Sequence, residues 1–239
     1  MATSIALTNG KGGVGKSTAA EQINSSIQDS LMISHDSTSN LSYKNQNRII
    51  VAEKKNIEPK QASIFESFER KLKDDGSIEV INNFETYFNF IQKNNANAVY
   101  DLGGYDSADH RVIYSIVDHI LIPTGLSEID LQSLETMNET LKQVSQQTNK
   151  KIVGKVFACR IHHRTSKSSP RFINLIKRVD SFEYLELLDS VIYERADYVK
   201  ASDLGFSVLE LPQTKHSRAA REIKALVNEL NISTKGEQL

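Results

Sequence analysis

Residues 10–17 read GKGGVGKS, a G-x-x-x-x-G-K-[ST] pattern that follows the apolar run SIALT and precedes a stretch with helical spacing. A chain carrying it must join a strand, a tight glycine turn and a helix N-terminus in that order. Gly10, Gly12, Gly13 and Gly15 sit where backbone N–H groups converge on phosphate oxygens and a Cβ would obstruct the approach. The helix opening near Lys16 adds unpaired N–H groups and the positive end of its dipole. The spacing therefore predicts a nucleotide-binding loop from Gly10 through Lys11, Val14 and Gly15 to Thr18. Lys16 is placed to reach the β and γ phosphates and the Ser17 hydroxyl to ligate Mg²⁺. ATP and Mg²⁺ are the implied ligands.

Short apolar runs alternate with helical patterns along the rest of the chain, the layout of an α/β fold with a mostly parallel sheet covered by helices on both faces. Strands are predicted near residues 4–8, 31–34, 98–101, 120–123, 152–158 and 185–191, with helices filling the gaps. The helix from Lys16 carries Ala20, Ile23 and Ile27 at helical spacing, and a last one over residues 217–230 carries Ile223, Leu226, Val227 and Leu230. Residues 1–230 read as one P-loop domain and 231–239 as a polar tail. The polar stretch 40–60 reads as a loop with a short helix.

At 239 residues, 39% hydrophobic and 25% charged, the chain is long and apolar enough for one sizeable core. Its single cysteine, Cys159, excludes an intramolecular disulfide and a paired-thiolate metal site within one chain. No run reaches the roughly 18 apolar residues of a membrane span, and the start is too short and strand-like for a signal peptide. A soluble cytoplasmic protein is expected. A net charge of -1 conceals a local asymmetry, because residues 149–179 contain no acid while lysines and arginines recur there.

Residues 11–17, KGGVGKS, resemble the signature of the ParA/MinD family of deviant Walker ATPases. The resemblance implies that Lys11 crosses a dimer interface to the phosphates held by a partner subunit, so that ATP drives dimerisation. A cation brought beside the γ phosphate neutralises charge that develops in the transition state, as an arginine finger does.

Two further segments match the family in order. LMISHDSTSN at residues 31–40 stands where the family has a strand ending in D-x-D; Ser34 replaces the first acid and Asp36 keeps the second. Asp36 is the candidate for positioning the attacking water, or else it caps a turn with Ser37 and Thr38. AVYDLGG at residues 98–104 places Asp101 at the Walker B position, where a carboxylate holds Mg²⁺ directly or through water. The catalytic set is therefore Lys11, Lys16 and Asp36, and the metal set Ser17 and Asp101. Asp106, Asp109 and His110 read as members of a solvated mobile loop, and the adjacent His162 and His163 as side chains that project apart. VFACRI at residues 156–161 falls where the family has a strand ending in Asn-Arg that contacts adenine, with Cys159 at the Asn position. Residues 191–210 match the stretch after the last core strand, so the resemblance covers nearly the whole chain.

Within the family, the polar C-terminus disfavours MinD-like membrane docking, and one cysteine disfavours iron-sulfur carriers. The short stretch before the first strand leaves no room for an N-terminal helix-turn-helix, which points to the small plasmid type of ParA. Such proteins are homodimers when ATP-bound, bind non-specific DNA on the nucleoid and are released when an adaptor on the cargo stimulates their weak hydrolysis. Two basic sets offer a DNA face: Arg171, Lys177 and Arg178, and Lys215, Arg218, Arg221 and Lys224, the second interrupted by Glu222. Solvated helix faces are the plainer reading of both. Two other jobs stay open: positioning a conjugation, chemotaxis or carboxysome complex, and a metabolic reaction of the dethiobiotin synthetase or cobyrinate amidase kind.

Overall fold

Successive residues of the strands face opposite ways, and both sets are buried. Ile5, Leu7, Met32 and Val99 enter one core, whereas Ala6, Ile33, Tyr100 and Leu102 enter the other. The computed structural model describes residues 2–36, 63–73 and 77–232. In it the nine described strands are β1 (Ser4–Leu7), β2 (Ser30–His35), β3 (Ser63–Glu66), β4 (Phe68–Leu72), β5 (Ile78–Asn82), β6 (Asn97–Leu102), β7 (His119–Thr124), β8 (Gly154–Ile161) and β9 (Leu185–Tyr193). The described helices are α1 (Lys16–Ser26), α2 (Phe84–Asn94), α3 (Ala108–Ile116), α4 (Glu128–Thr148), α5 (Pro170–Asp180), α6 (Ala196–Asp203) and α7 (Arg218–Glu229).

Seven strands form one parallel sheet in the order β3-β2-β6-β1-β7-β8-β9, and β4 and β5 form a separate antiparallel hairpin. Helices α1, α6 and α7 cover one face, and α2, α3, α4 and α5 cover the other. Because β1 lies between β6 and β7, the connections after β1 and after β6 leave in opposite directions, which opens a crevice at the carboxyl ends of these strands. The fully buried Leu131, Leu134 and Leu141 anchor α4 on the sheet; each such side chain stabilises by roughly 1.5–3 kcal/mol relative to exposure.

All six strands expected from the sequence are present, with ends shifted by up to three residues. The gap between β2 and β6 differs from the expectation of helix and loop, since it also holds β3 and the β4–β5 hairpin beside α2. The hairpin mixes apolar residues with charged ones, Lys71 pairing with Glu69 and Lys73 with Glu79, and its apolar alternation is too short to betray it. The segment 40–60 and the residues after 232 lie outside the described residues. Ile232, beyond the expected boundary at 230, is buried against the α1–α7 core.

Candidate functional site

The glycine loop follows β1 directly, and α1 starts at Gly15 with φ +97° and no side-chain cap. The first N–H groups of α1 are thus left for a ligand, unlike those of α3, α4, α5 and α7, each capped by a serine. A Cβ on Gly15 would lie 2.8 Å from Cys159 Sγ and in a backbone region that L-residues avoid, so the loop packs directly on the end of β8. Asn9 fixes the approach: its Nδ2 donates to the Pro123 carbonyl at 2.9 Å and its Oδ1 accepts from Lys11 N–H at 2.9 Å.

Above the loop lies a cavity of about 990 Å³. Gly13, Lys16, Ser17, Thr18, Asp36 and Gly104 line one part of it, and Arg160, Tyr193, Arg195 and Tyr198 another. Lys16 is buried and its Nζ donates to the Lys11 carbonyl at 3.0 Å. Desolvation lowers its pKa, opposed by Asp101 and Asp36. Gly104 brings the loop after β6 against the phosphate loop, where a Cβ would stand 3.7 Å from Lys16 Nζ.

Asp101 is 1% exposed and neither of its oxygens has a hydrogen bond of good geometry. Burial pushes its pKa up to about 7, against the pull of the Ser17 hydroxyl and Lys16. A buried carboxylate left without donors beside a serine hydroxyl is a donor set suited to a hard divalent cation such as Mg²⁺. Ser34 sits beside Asp101 in the strand register. An acid there would crowd a second buried carboxylate against the first and raise its pKa further.

Lys11 is drawn away from this cavity. Its ammonium pairs with Asp130 Oδ1 at the start of α4, and hydrogen bonds from Lys11 and Ser127 outweigh burial and hold the Asp130 pKa below the ordinary value. Asp130 Oδ2 serves the helix cap, accepting from Ser127 N–H at 3.1 Å and from its hydroxyl at 2.5 Å. Arg160 holds the other side of the loop. It has φ +56°, its Nη1 donates to the Gly13 carbonyl, and its Nη2 lies 3.8 Å from Glu194 Oε1. Asp130 was not among the residues singled out from the sequence, and Arg160 stood out there only as the arginine of VFACRI. The S-x-x-D spacing at Ser127 is a readable cap, but its second use by Lys11 depends on the fold.

Several side chains depart from expectation. His110 is not on a solvated loop: it is fully buried in α3, where its Nδ1 donates to the Tyr105 carbonyl at 2.8 Å. Asp109 lies 3.3 Å from His35 Nε2, and Asp106 pairs with Arg111. The rings of His162 and His163 lie against each other with centroids 4.4 Å apart instead of projecting apart. No group of three or more His, Cys, Asp or Glu suited to a metal occurs among the described residues. The two basic sets belong to opposite layers, α5 on one face of the sheet and α7 on the other. Arg178 is tied to Glu128 and Glu135, which largely neutralises it. Arg171, Lys177, Lys215, Arg218, Arg221 and Lys224 are exposed. Glu222 does not interrupt the second set, because it turns inward to Arg195. No described helix is long and apolar enough to cross a membrane.

Residues 3–168, more than half of the chain, match the family model described as ATPase MipZ. No curated protein matches the chain. Among solved structures, apo McdA of Cyanothece aligns over 96% of this chain and 100% of its own, with a TM-score of 0.64 at 14% identity. A plasmid partition protein of Borrelia burgdorferi bound to AMPPNP covers 96% of this chain and 98% of its own, at TM-score 0.60 and 14% identity. The cell division protein MinD of Aquifex aeolicus covers 97% and 98%, at TM-score 0.60 and 17% identity. At such identities these likenesses speak for the fold. With the family model, the parallel sheet and the lysine-bearing phosphate loop in agreement, the chain belongs to the MipZ ATPases, within the ParA/MinD family of deviant Walker P-loop proteins.

Proposed function

We propose that the protein is an ATP-driven DNA partition ATPase whose switch is dimerisation over the nucleotide. The observation that carries this reading is the placement of its two loop lysines: Lys16 lines the cavity, whereas Lys11 is held outside it by Asp130. A cation kept outside its own pocket is positioned to serve a second one. Lys16 and the α1 N-terminus bind the β and γ phosphates, Ser17 and Asp101 hold Mg²⁺, and Asp36 orients the attacking water. The metal, when bound, neutralises charge on the phosphates. Closing two protomers face to face moves Lys11 from Asp130 to the partner's phosphates, so ATP binding and pairing support one another. Intrinsic turnover is weak until an adaptor stimulates it.

The ATP-bound dimer binds random-sequence duplex DNA on the nucleoid through exposed cations, among them Arg171, Lys177, Lys215, Arg218, Arg221 and Lys224. Pairing doubles the phosphate contacts, which couples DNA affinity to the nucleotide. The likeness to MinD and McdA favours a second reading, in which the same switch positions a cargo other than a plasmid. Binding to random duplex DNA with ATP, ADP or no nucleotide, alongside sizing, tests the proposal. ATP-specific dimers that coat DNA in a salt-sensitive manner are expected. Monomers that ignore DNA in every nucleotide state would overturn it, and DNA binding with no centromere-binding adaptor encoded alongside would favour the second reading.

A further inference from the structure

A second cleft, of about 570 Å³, lies between β9 and α7 and is lined by Lys167, Asp189, Arg195, Arg218, Arg221 and Glu222. Tyr193 and Arg195 also line the nucleotide cavity, so these two residues form the wall that the two spaces share. The Arg195 Nε donates to Glu222 Oε1 at 2.6 Å, and the two side chains are only 18% and 12% exposed. The other oxygen, Glu222 Oε2, accepts from Tyr193 N–H at 3.2 Å and from the Tyr198 hydroxyl at 3.5 Å. Tyr193 and Tyr198 both face the nucleotide cavity. One glutamate on α7 therefore gathers three groups of the cavity wall.

The polar contacts continue to the phosphate loop, from Gly13 to Arg160, from Arg160 to Glu194, and along the backbone from Glu194 to Arg195. α7 packs on both β9 and α1, the helix that begins at the phosphate loop. Glu222 is flanked on α7 by Arg218, Arg221 and Lys224, whose side chains are exposed. We propose that the Arg195–Glu222 ion pair couples occupancy of the nucleotide cavity to the setting of the basic face of α7. A ligand pressing on Tyr193, Arg195 and Tyr198 shifts the guanidinium. Glu222 follows because a nearly desolvated carboxylate cannot be left unpaired, and the helix that carries it turns its cations with it. The partner for that face is the duplex DNA backbone, a choice that rests on the function proposed above; the coupling itself does not.

The test uses the full chain with Glu222→Gln, and with the double variant Arg195→Gln/Glu222→Gln, in which no charge is left unpaired. Backbone amide exchange of α7 is measured with and without AMPPNP, together with binding to random duplex DNA. In the parent, the nucleotide slows exchange in α7 and raises DNA affinity at least about tenfold over ADP. Glu222→Gln is expected to bind AMPPNP within about threefold of the parent, yet to lose the α7 response and to show an AMPPNP-over-ADP preference for DNA at least about threefold weaker than the parent's. If Glu222→Gln unfolds, the double variant, measured at saturating AMPPNP, is expected to lose the α7 response. Parent protein whose α7 responds to AMPPNP while DNA is ignored would refute DNA as partner and leave the coupling standing. An α7 indifferent to bound AMPPNP in the parent, or a response preserved in both variants, would overturn the coupling.

Discussion

Replacing Asp101 by asparagine should stabilise the ligand-free protein while removing its metal-dependent activity. Burial carries the Asp101 pKa from 3.8 to about 7. Between those values the folded chain keeps a proton that the unfolded chain has released, so this group's contribution falls as pH rises from about 4 to 7 and is constant above. The displacement from 3.8 to about 7 corresponds to roughly 4 kcal/mol at pH 8. An asparagine amide in the same unpaired setting costs about 1–3 kcal/mol, leaving a net gain on the order of 1–3 kcal/mol. For a domain of this size that is roughly 3–10 °C in melting temperature. Thermal and urea unfolding of both proteins without nucleotide or metal, at pH 5 and pH 8, measures it. The variant's advantage should be clear at pH 8 and smaller at pH 5, because protonation already relieves much of the cost there. A variant less stable than the parent at pH 8, or one whose margin does not change between the two pH values, would refute the reasoning.

Four other outcomes are expected. Lys11→Ala should leave AMPPNP binding by the monomer intact but abolish nucleotide-dependent dimers on sizing. Asp130→Asn should instead ease dimerisation by about 2- to 30-fold, since two part-exposed pairs worth roughly 0.2–1 kcal/mol each no longer have to break; an unchanged dimerisation midpoint would contradict this. Gly15→Ala combines a left-handed backbone cost of about 1–2 kcal/mol with the Cys159 contact, and calorimetry should find AMPPNP affinity severely reduced; affinity within about twofold of the parent would show that the loop has another shape. Asp36→Ala should slow steady-state ATP hydrolysis by roughly 10²-fold or more while nucleotide-dependent dimers persist, and unchanged turnover would remove Asp36 from the chemistry.

The parts of the molecule that sequence discloses are those where one physical requirement dominates. Gly10 to Ser17 must expose backbone donors, and the doubly buried strands must be largely apolar, so both stand out along the chain. Asp101 stands out because an acid closing an apolar strand has little structural justification. The β4–β5 hairpin mixes charged with apolar residues, and in FERKL and IEVIN the alternation is too short to demand a strand. Glu222 was misleading for a related reason. As one acid among basic neighbours it looks like an interruption, and only the packing of α7 on β9 shows that it faces Arg195. His110 likewise reads as polar until α3 folds it beneath Tyr105.

The two oxygens of Asp130 are assigned to different tasks, Oδ2 to Ser127 and Oδ1 to Lys11. The ammonium is consequently a detachable guest: when it departs, the first turn of the long helix keeps its fastening and nothing has to refold before the next round. Under the proposed switch, in which the protein pairs and separates over its nucleotide, such a resting place lets each return of the lysine restore the same solitary form.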